Sequence, residues 1–276
     1  MAKHVPNQRS PSRWMLVAIL QSLAWFFGIP ILCRKYVWDN IVGNIIESHP
    51  KYGVENSKGL INCTVGPSIF ACYTLVMIPV YAGGYPFFER YKIHAPTRTG
   101  RKTGWPWFDP RPDVRQKFWS LSYRSLYLIG FNYFVLLKSM GALQLYIMRN
   151  MLGRNSHPNL FGTDDEHWPS VGENARDILL MTVIHEFGFY FTHKWMHEYP
   201  FLYKYHKVHQ EYKINTTLAS MHNHPIDFIF PLGTPGFLAV SLVPWAHSIS
   251  LFLCVIWLFY ANVDDHVGYA YPWSPV

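Results

Sequence analysis

Seven of the fourteen histidines in this chain fall within the forty residues from His185 to His224, where an even spread would place about two. His193 and His197 stand four apart, and His206 and His209 three apart. Each spacing puts two imidazoles on one face of a helix, which is what a shared metal ion requires. Pro200 interrupts the chain between the pairs, so two helical segments can fold toward one another. His222 and His224 follow in a loop closed by Pro225, and His266 returns later in Asp264-Asp265-His266. A lone HxxxH means little in a chain so rich in histidine; the clustering is the signal. Imidazole suits iron, copper and zinc alike. Structural zinc would need only four ligands, and this cluster offers six or more nitrogen donors. With no nucleophilic Ser or Cys beside them, the histidines point to a multi-metal redox centre facing a lipid-accessible pocket. Glu186 and Asp265 are candidates to orient imidazole N–H groups, or else interfacial charges. The plain alternative is a headgroup-facing cap in which histidines stand in for lysines.

The elements that must carry this cluster are apolar. Of 276 residues, 50% are hydrophobic, 17% aromatic and 15% charged, against a usual charged share of about 25%. That composition excludes an ordinary soluble globule and a disordered chain. The formal charge of +7 then faces lipid headgroups, not a nucleic-acid backbone. No basic recognition helix or zinc-finger spacing supports nucleic-acid binding. Cys33, Cys63, Cys72 and Cys254 lie in or beside apolar stretches without a CxxC pair, and read as reduced, packed thiols.

Five apolar regions follow in order. Trp14 to Cys33 holds twenty uncharged residues, which as a helix span ~30 Å, one bilayer core. Gly59 to Phe88 holds thirty more, bent or ended by Pro67, Pro79 and Gly83-Gly84. Phe118 to Met148 carries Arg124 and Lys138 and is expected to lie partly in the interface. Ile178 to Thr192 is interrupted by His185 and Glu186. Phe228 to Val263 runs for thirty-six residues without Asp, Glu, Lys or Arg, long enough for two short crossings or a re-entrant hairpin turning near Pro244. The expected fold is an all-α, polytopic helical membrane protein of about four to six spans or re-entrant hairpins. A basic arm, residues 1–13, precedes a single membrane domain, residues 14–276.

Loop charge orients the spans. The segment from Glu89 to Arg124 has nine basic and three acidic residues, while Arg34 to Lys58 has four against three and Lys138 to Asp177 four against five. Alternation of basic and balanced loops puts the N-terminus, the basic segment and the histidine-rich cap on the cytosolic side. A hairpin that goes in and comes back returns His266 to that side as well.

These motifs resemble those of the sterol desaturase and fatty acid hydroxylase superfamily, membrane di-iron oxygenases with histidine boxes of the forms HxxxH and HxxHH. His193-Lys194-Trp195-Met196-His197 matches the first box. His206-Lys207-Val208-His209-Gln210-Glu211-Tyr212 resembles the second, and His224-Pro225 the His-Pro that follows it in the sterol branch. Asp265-His266-Val267-Gly268-Tyr269 and Tyr271-Pro272-Trp273-Ser274 resemble that branch's His-Ser-Gly-Tyr and Pro-Trp-Ser signatures, and Phe87-Phe88-Glu89-Arg90-Tyr91-Lys92-Ile93 an upstream element. The likeness covers roughly residues 60–276, with the hydroxylase-like region at about 178–276. It is greatest toward C4-methylsterol oxidases, then sterol 25-hydroxylases.

The resemblance implies O₂-dependent oxidation of a C–H bond on a sterol or other lipid, at two iron ions. It implies His193, His197, His206, His209, His224 and His266 as ligands, with Gln210 and His222 as further candidates. A b-type cytochrome or a reductase would dock on the basic face and supply electrons, and membrane lipids would surround the rest. Two departures bear on this. Gln210 replaces the second histidine of HxxHH, and the last histidine box would lie beyond Val276, so the hydroxylase-like region reads as C-terminally incomplete. The expectation is therefore at most one metal ion on these 276 residues. The alternative function is an inactive family member serving as a structural or lipid-binding subunit of a membrane complex. The sterol-branch resemblance implies the endoplasmic reticulum; a basic, acid-free N-terminus leaves the mitochondrial inner membrane as the alternative.

Overall fold

The computed structural model describes residues 53–93, 105–150, 169–272 and Ser274, with a few isolated positions between 16 and 24. The basic arm, most of the expected first span including Cys33, and the loop before residue 53 lie outside the described residues. So do residues 94–104 of the basic segment and residues 151–168. Among the described residues the structure is helical, and the one β-bridge pairs Lys92 with Tyr269.

Helix α1 (Gly53–Gly83) accommodates both Pro67 and Pro79. It ends where Gly84 adopts a φ of 53°, a left-handed conformation that glycine takes without a Cβ penalty. Helix α2 (Pro112–Phe131) opens with proline at its first turn and Asp113 beside it, both suited to a helix N-terminus. It continues through a π-helical turn, Asn132–Leu137, into α3 (Lys138–Asn150). Pro112–Gln144 is one of four helices among the described residues that are long and apolar enough to cross a membrane. Arg124 does not interrupt it, because its guanidinium reaches out to Glu211 at 2.7 Å.

Helix α4 (Val171–Glu198) starts with a capping box in which Ser170 and Glu173 satisfy each other's backbone N–H groups. It is not among those four helices, since Arg176, Asp177, His185 and Glu186 lower its hydropathy. Tyr199 both ends α4 and precedes α5 (Pro200–His209), with Pro200 fixing the first turn of the new helix. A buried 3₁₀ segment, Thr217–Met221, leads to the next span, Pro225–Leu242. That span contains a second π turn, Phe228–Gly233, followed by α6 (Thr234–Leu242). After a turn that includes Pro244, α7 (Ser248–His266) runs back. The thirty-six-residue apolar region is thus two helices, as its length allowed.

Two polar ties fix the end of the bundle remote from the histidines. Ser250 Oγ donates to Asn174 Oδ1 at 2.5 Å, and Trp245 Nε1 donates to Asp177 Oδ1 at 3.1 Å. They hold the start of α4 against the turn and the start of α7. Ile178, Met181, Val243, Ile249 and Leu253 fill the space between these elements. Gly188 of α4 lets Pro235 approach so closely that a Cβ there would lie 3.1 Å from the proline ring.

At the opposite end the polar cap assembles. Tyr81 donates to the carbonyl of Val267 at 2.9 Å and accepts from the Thr217 N–H at 3.1 Å. Ile93 N–H donates to Gly268 O, and Ala270 N–H to Tyr91 O. Trp105 is buried, and its Nε1 donates to the Tyr269 hydroxyl. Tyr73 and Ser274 both donate to Asp264. The end of α1, the start of α2, α5 and the end of α7 therefore meet on one side. The described part of the basic segment lies on the same side as the histidine cluster, as the loop charges indicated. With four helices of membrane-crossing length and composition among the described residues, the chain is an integral membrane protein.

Candidate metal centre

His193 and His197 project from the last turns of α4, their ring centroids 5.0 Å apart. His206 of α5 comes within 4.7 Å of the first ring and 4.5 Å of the second. One nitrogen from each of the three lies within 4.8 Å of the others. Ligands to a single ion at ~2.1 Å sit no more than about 4.3 Å apart, so closure needs about half an ångström, which a small ring rotation supplies. The series continues through His209, 5.4 Å from His206, to His266 on α7, 5.2 Å from His209. Five imidazoles from three helices thus form one unbroken row.

The ring nitrogens are set by what stands behind them. His206 Nδ1 donates to Asp227 Oδ1 at 2.9 Å, with both side chains buried. That bond leaves the lone pair on Nε2, where Gln210 Nε2 lies at 3.1 Å and its amide N–H donates. His266 Nδ1 donates to the Asn262 carbonyl at 2.8 Å, which likewise leaves Nε2 as its lone-pair nitrogen. His209 Nδ1 is buried and has no hydrogen-bond partner among the described residues. Such an orphaned nitrogen costs free energy, and a cation would satisfy it. Burial, reinforced by the neighbouring His206 and His197 rings, lowers the His193 pKa to about 4. Burial and the adjacent His266 and His206 lower that of His209 to about 3. Burial also lowers the pKa of His197. All three are neutral at pH 7, the form that binds a metal. The donor set, clustered imidazoles with one carboxylate-oriented member, fits a divalent transition metal such as iron or zinc.

Not every histidine singled out in the sequence joins this row. His224 turns its Nδ1 to accept from the Ile226 N–H and so caps the span beginning at Pro225, its ring against Tyr205. His222 is fully buried with both nitrogens engaged, Nδ1 with Ser125 Oγ at 2.9 Å and Nε2 with Glu211 Oε2 at 3.3 Å. Gln210 sits among the rings but presents its amide to His206 as a donor, not a ligand. Glu186 meets its neighbour His185, Oε1 to Nδ1 at 3.3 Å, and Asp265 is exposed at the end of α7. Neither orients a ring of the cluster. Asp227 takes that role, and sequence reasoning missed it. The available signal was an acid two residues after Pro225, at the mouth of a thirty-six-residue stretch without a charge, where a carboxylate is costly unless it has a partner. The Glu211–Arg124 pair that braces His222 was also missed, because it joins residues 87 apart in sequence.

Below the cluster an open pocket of 570 Å³ runs along α4, lined by Glu186, Phe189, Tyr190, His193, Lys194, His197 and Glu198. It gives the outer two histidines direct access from the bundle surface.

The fatty acid hydroxylase family profile matches residues 178–276, the stretch that carries the whole imidazole row. Methylsterol monooxygenase 2-2 of Arabidopsis thaliana is 36% identical over 107 residues, 38% of this chain and 39% of the relative. The very-long-chain aldehyde decarbonylase GL1-11 of Oryza sativa subsp. indica is 27% identical over 198 residues, 71% of this chain and 65% of the relative. Methylsterol monooxygenase erg25B of Aspergillus fumigatus is 28% identical over 110 residues, 39% of this chain and 37% of the relative. The chain thus spans from about two fifths to two thirds of the length of these relatives. No solved structure gives a significant match. Residues 178–276 thus match the fatty acid hydroxylase family model, and the relatives of the chain are methylsterol monooxygenases and aldehyde decarbonylases, which fits the sterol desaturase and fatty acid hydroxylase superfamily.

Proposed function

We propose that the chain is an iron-dependent lipid oxygenase, with His193, His197 and His206 as the primary ligands and His209 and His266 completing the row. The observation that carries this reading is the convergence of three imidazoles from two helices, with Asp227 behind the buried one. Iron bound there would supply activation of O₂ toward an unactivated C–H bond, chemistry that protein side chains do not perform. The residues of the chain do the rest. Asp227 holds His206 in one tautomer and one orientation. Burial keeps the rings of His193, His197 and His209 unprotonated. Phe189 and Tyr190 line the approach along α4 and keep the hydrocarbon of a lipid substrate against the site.

The names of the relatives support a lipid substrate, a sterol in two of them and a very-long-chain aldehyde in the third. We take a sterol as the first substrate to test, the endoplasmic reticulum as the membrane, and a b-type cytochrome or reductase on the basic cap as the electron source. Residues 14–276 are proposed to form one membrane domain behind the arm at 1–13. The test is reconstitution of the iron-loaded chain in lipid nanodiscs with a reductase, NADPH and a 4-methylsterol, followed by mass spectrometry. An added oxygen on the sterol, absent in His206→Ala, supports the reading. Iron-loaded chain that oxidises no lipid would overturn it. One observation favours the second reading, a non-catalytic lipid-binding subunit: the Gln210 amide already occupies the lone pair of His206.

A further inference from the structure

Helix α5 has ten residues, about 15 Å as a helix, half of what a bilayer crossing needs. It lies at the ends of two helices that are long enough. His206 meets Asp227 in the first turn of the span that begins at Pro225, and His209 meets His266 at the end of α7. The ring of Tyr205 packs on that of His224, the residue before the span, at 4.8 Å. A short helix held against two span ends runs along the boundary between hydrocarbon and headgroups. Its inner face carries the histidines. Lys204 and Lys207 lie about 200° around the helix from His206 and His209 respectively, and both are exposed. The surface beside them is aromatic. Tyr199 is 48% exposed, Phe201 64% and Tyr203 40%. Trp195, one turn before the end of α4, is 40% exposed and stacks on Phe230 of the span at 6.4 Å. Trp and Tyr gather where a membrane meets water, and lysine stems lie along apolar surface while their ammonium groups stay wet.

We propose that the outer face of α5 binds anionic phospholipid, with Lys204 and Lys207 holding the headgroup phosphate and Tyr199 and Phe201 set among the acyl chains beside it. Residues three apart on a helix are neighbours, so the two ammonium groups can share one phosphate. The charge around them is free to act. No acidic residue occurs in α5, and Glu198 at the corner is answered by Lys194, Oε1 to Nζ at 3.6 Å. Lys204 lies over the ring of Tyr205 at 4.6 Å. Among the described residues, neither Lys204 nor Lys207 meets a carboxylate. The side of the membrane agrees. The histidine end also carries the basic segment from Glu89 to Arg124, and such loop charge marks the cytoplasmic face, where anionic lipid is concentrated. An apolar partner has no use for the lysines, and an acidic soluble protein has none for the exposed aromatic residues. A lipid with a charged headgroup uses both.

Native mass spectrometry of the full chain, released from detergent with phosphatidylserine and phosphatidylcholine of identical acyl chains, measures the affinity of each lipid. A lysine at an anionic surface is worth roughly fivefold in affinity. Wild type should therefore bind phosphatidylserine roughly twenty-five-fold more tightly than phosphatidylcholine at its tightest site. Lys204→Gln with Lys207→Gln should lose most of that preference, and Lys204→Arg with Lys207→Arg should keep it. Arg115→Gln with Lys117→Gln, at exposed positions near the start of α2, should keep it too, which separates a site from diffuse positive charge. Equal affinity for both lipids in wild type, a preference that survives in the glutamine pair on α5, or an equal loss in the pair on α2 would overturn the proposal. So would displacement of the lipid by millimolar inorganic phosphate, the mark of a soluble-anion site. So would a glutamine pair on α5 that keeps its lipid and loses binding of an acidic b-type cytochrome, the mark of a protein-docking surface.

Discussion

His206 and Asp227 face each other at 2.9 Å across the boundary between the polar cap and a membrane span, and both side chains are buried. The pairing puts the proton of His206 on Nδ1 and leaves Nε2 as the lone-pair nitrogen of a ring that lies 4.7 Å from His193 and 4.5 Å from His197. An oriented imidazole loses less freedom on binding a metal than a free one, and removing such an outer partner typically costs 10–100-fold in metal affinity. Asp227→Ala should weaken cobalt or zinc binding by about that factor, measured by competition with a chromophoric chelator. Asp227→Asn retains an oxygen acceptor and should lose less. Unchanged affinity in Asp227→Ala would mean that His206 does not ligate.

Gln210 makes an opposite prediction. Its amide N–H donates to the nitrogen that a metal would use, so metal binding must break that hydrogen bond. Gln210→Ala should tighten the first metal by up to roughly tenfold, the worth of about 0.5–1.5 kcal/mol for one hydrogen bond. Gln210→His adds a lone-pair nitrogen beside His206 and His209, and elemental analysis should show more metal per chain than in wild type. Identical metal content and affinity in all three proteins would contradict this role.

The cap has its own weak point at Gly268. Its φ is 81°, and a Cβ added there would lie 2.5 Å from the carbonyl oxygen of Asn215 and 2.7 Å from the ring of buried Trp105. Left-handed backbone and two immovable neighbours together make Gly268→Ala destabilising by about 2–4 kcal/mol. Gly84 has a φ of 53° with nothing within 4 Å of the added atom, so Gly84→Ala should cost only about 1 kcal/mol. Thermal unfolding in detergent would rank the two; equal effects would mean that the cap does not pack Gly268 as described.

Much of this arrangement was legible in the chain because periodicity and charge act locally. The i, i+4 and i, i+3 histidine pairs, the break at Pro200 and the length of the 228–263 stretch each fix a geometry that tertiary contacts did not override. The parity of spans brought His266 back to the cluster. What stayed hidden depends on long-range contacts. His224 lies in a motif that suggests a ligand, yet the Ile226 N–H needs a cap and takes its Nδ1. His222 is bound by Ser125 and Glu211, and neither pairing has a sequence signature. Arg124 reads as an interruption of a span until its partner Glu211 is known. The orienting role of Asp227 required knowing that the start of one span lies under α5.

The central claim is that His193, His197 and His206 hold a metal ion together. The direct measurement is equilibrium binding of cobalt(II) to the full chain in nanodiscs, read by its ligand-field absorption and by ions bound per chain. Wild type should bind at least one ion in a nitrogen-rich environment, and His193→Ala, His197→Ala and His206→Ala should each lose it, while His224→Ala should not. Absence of cobalt from wild type, or equal binding in His206→Ala and His224→Ala, would contradict the account.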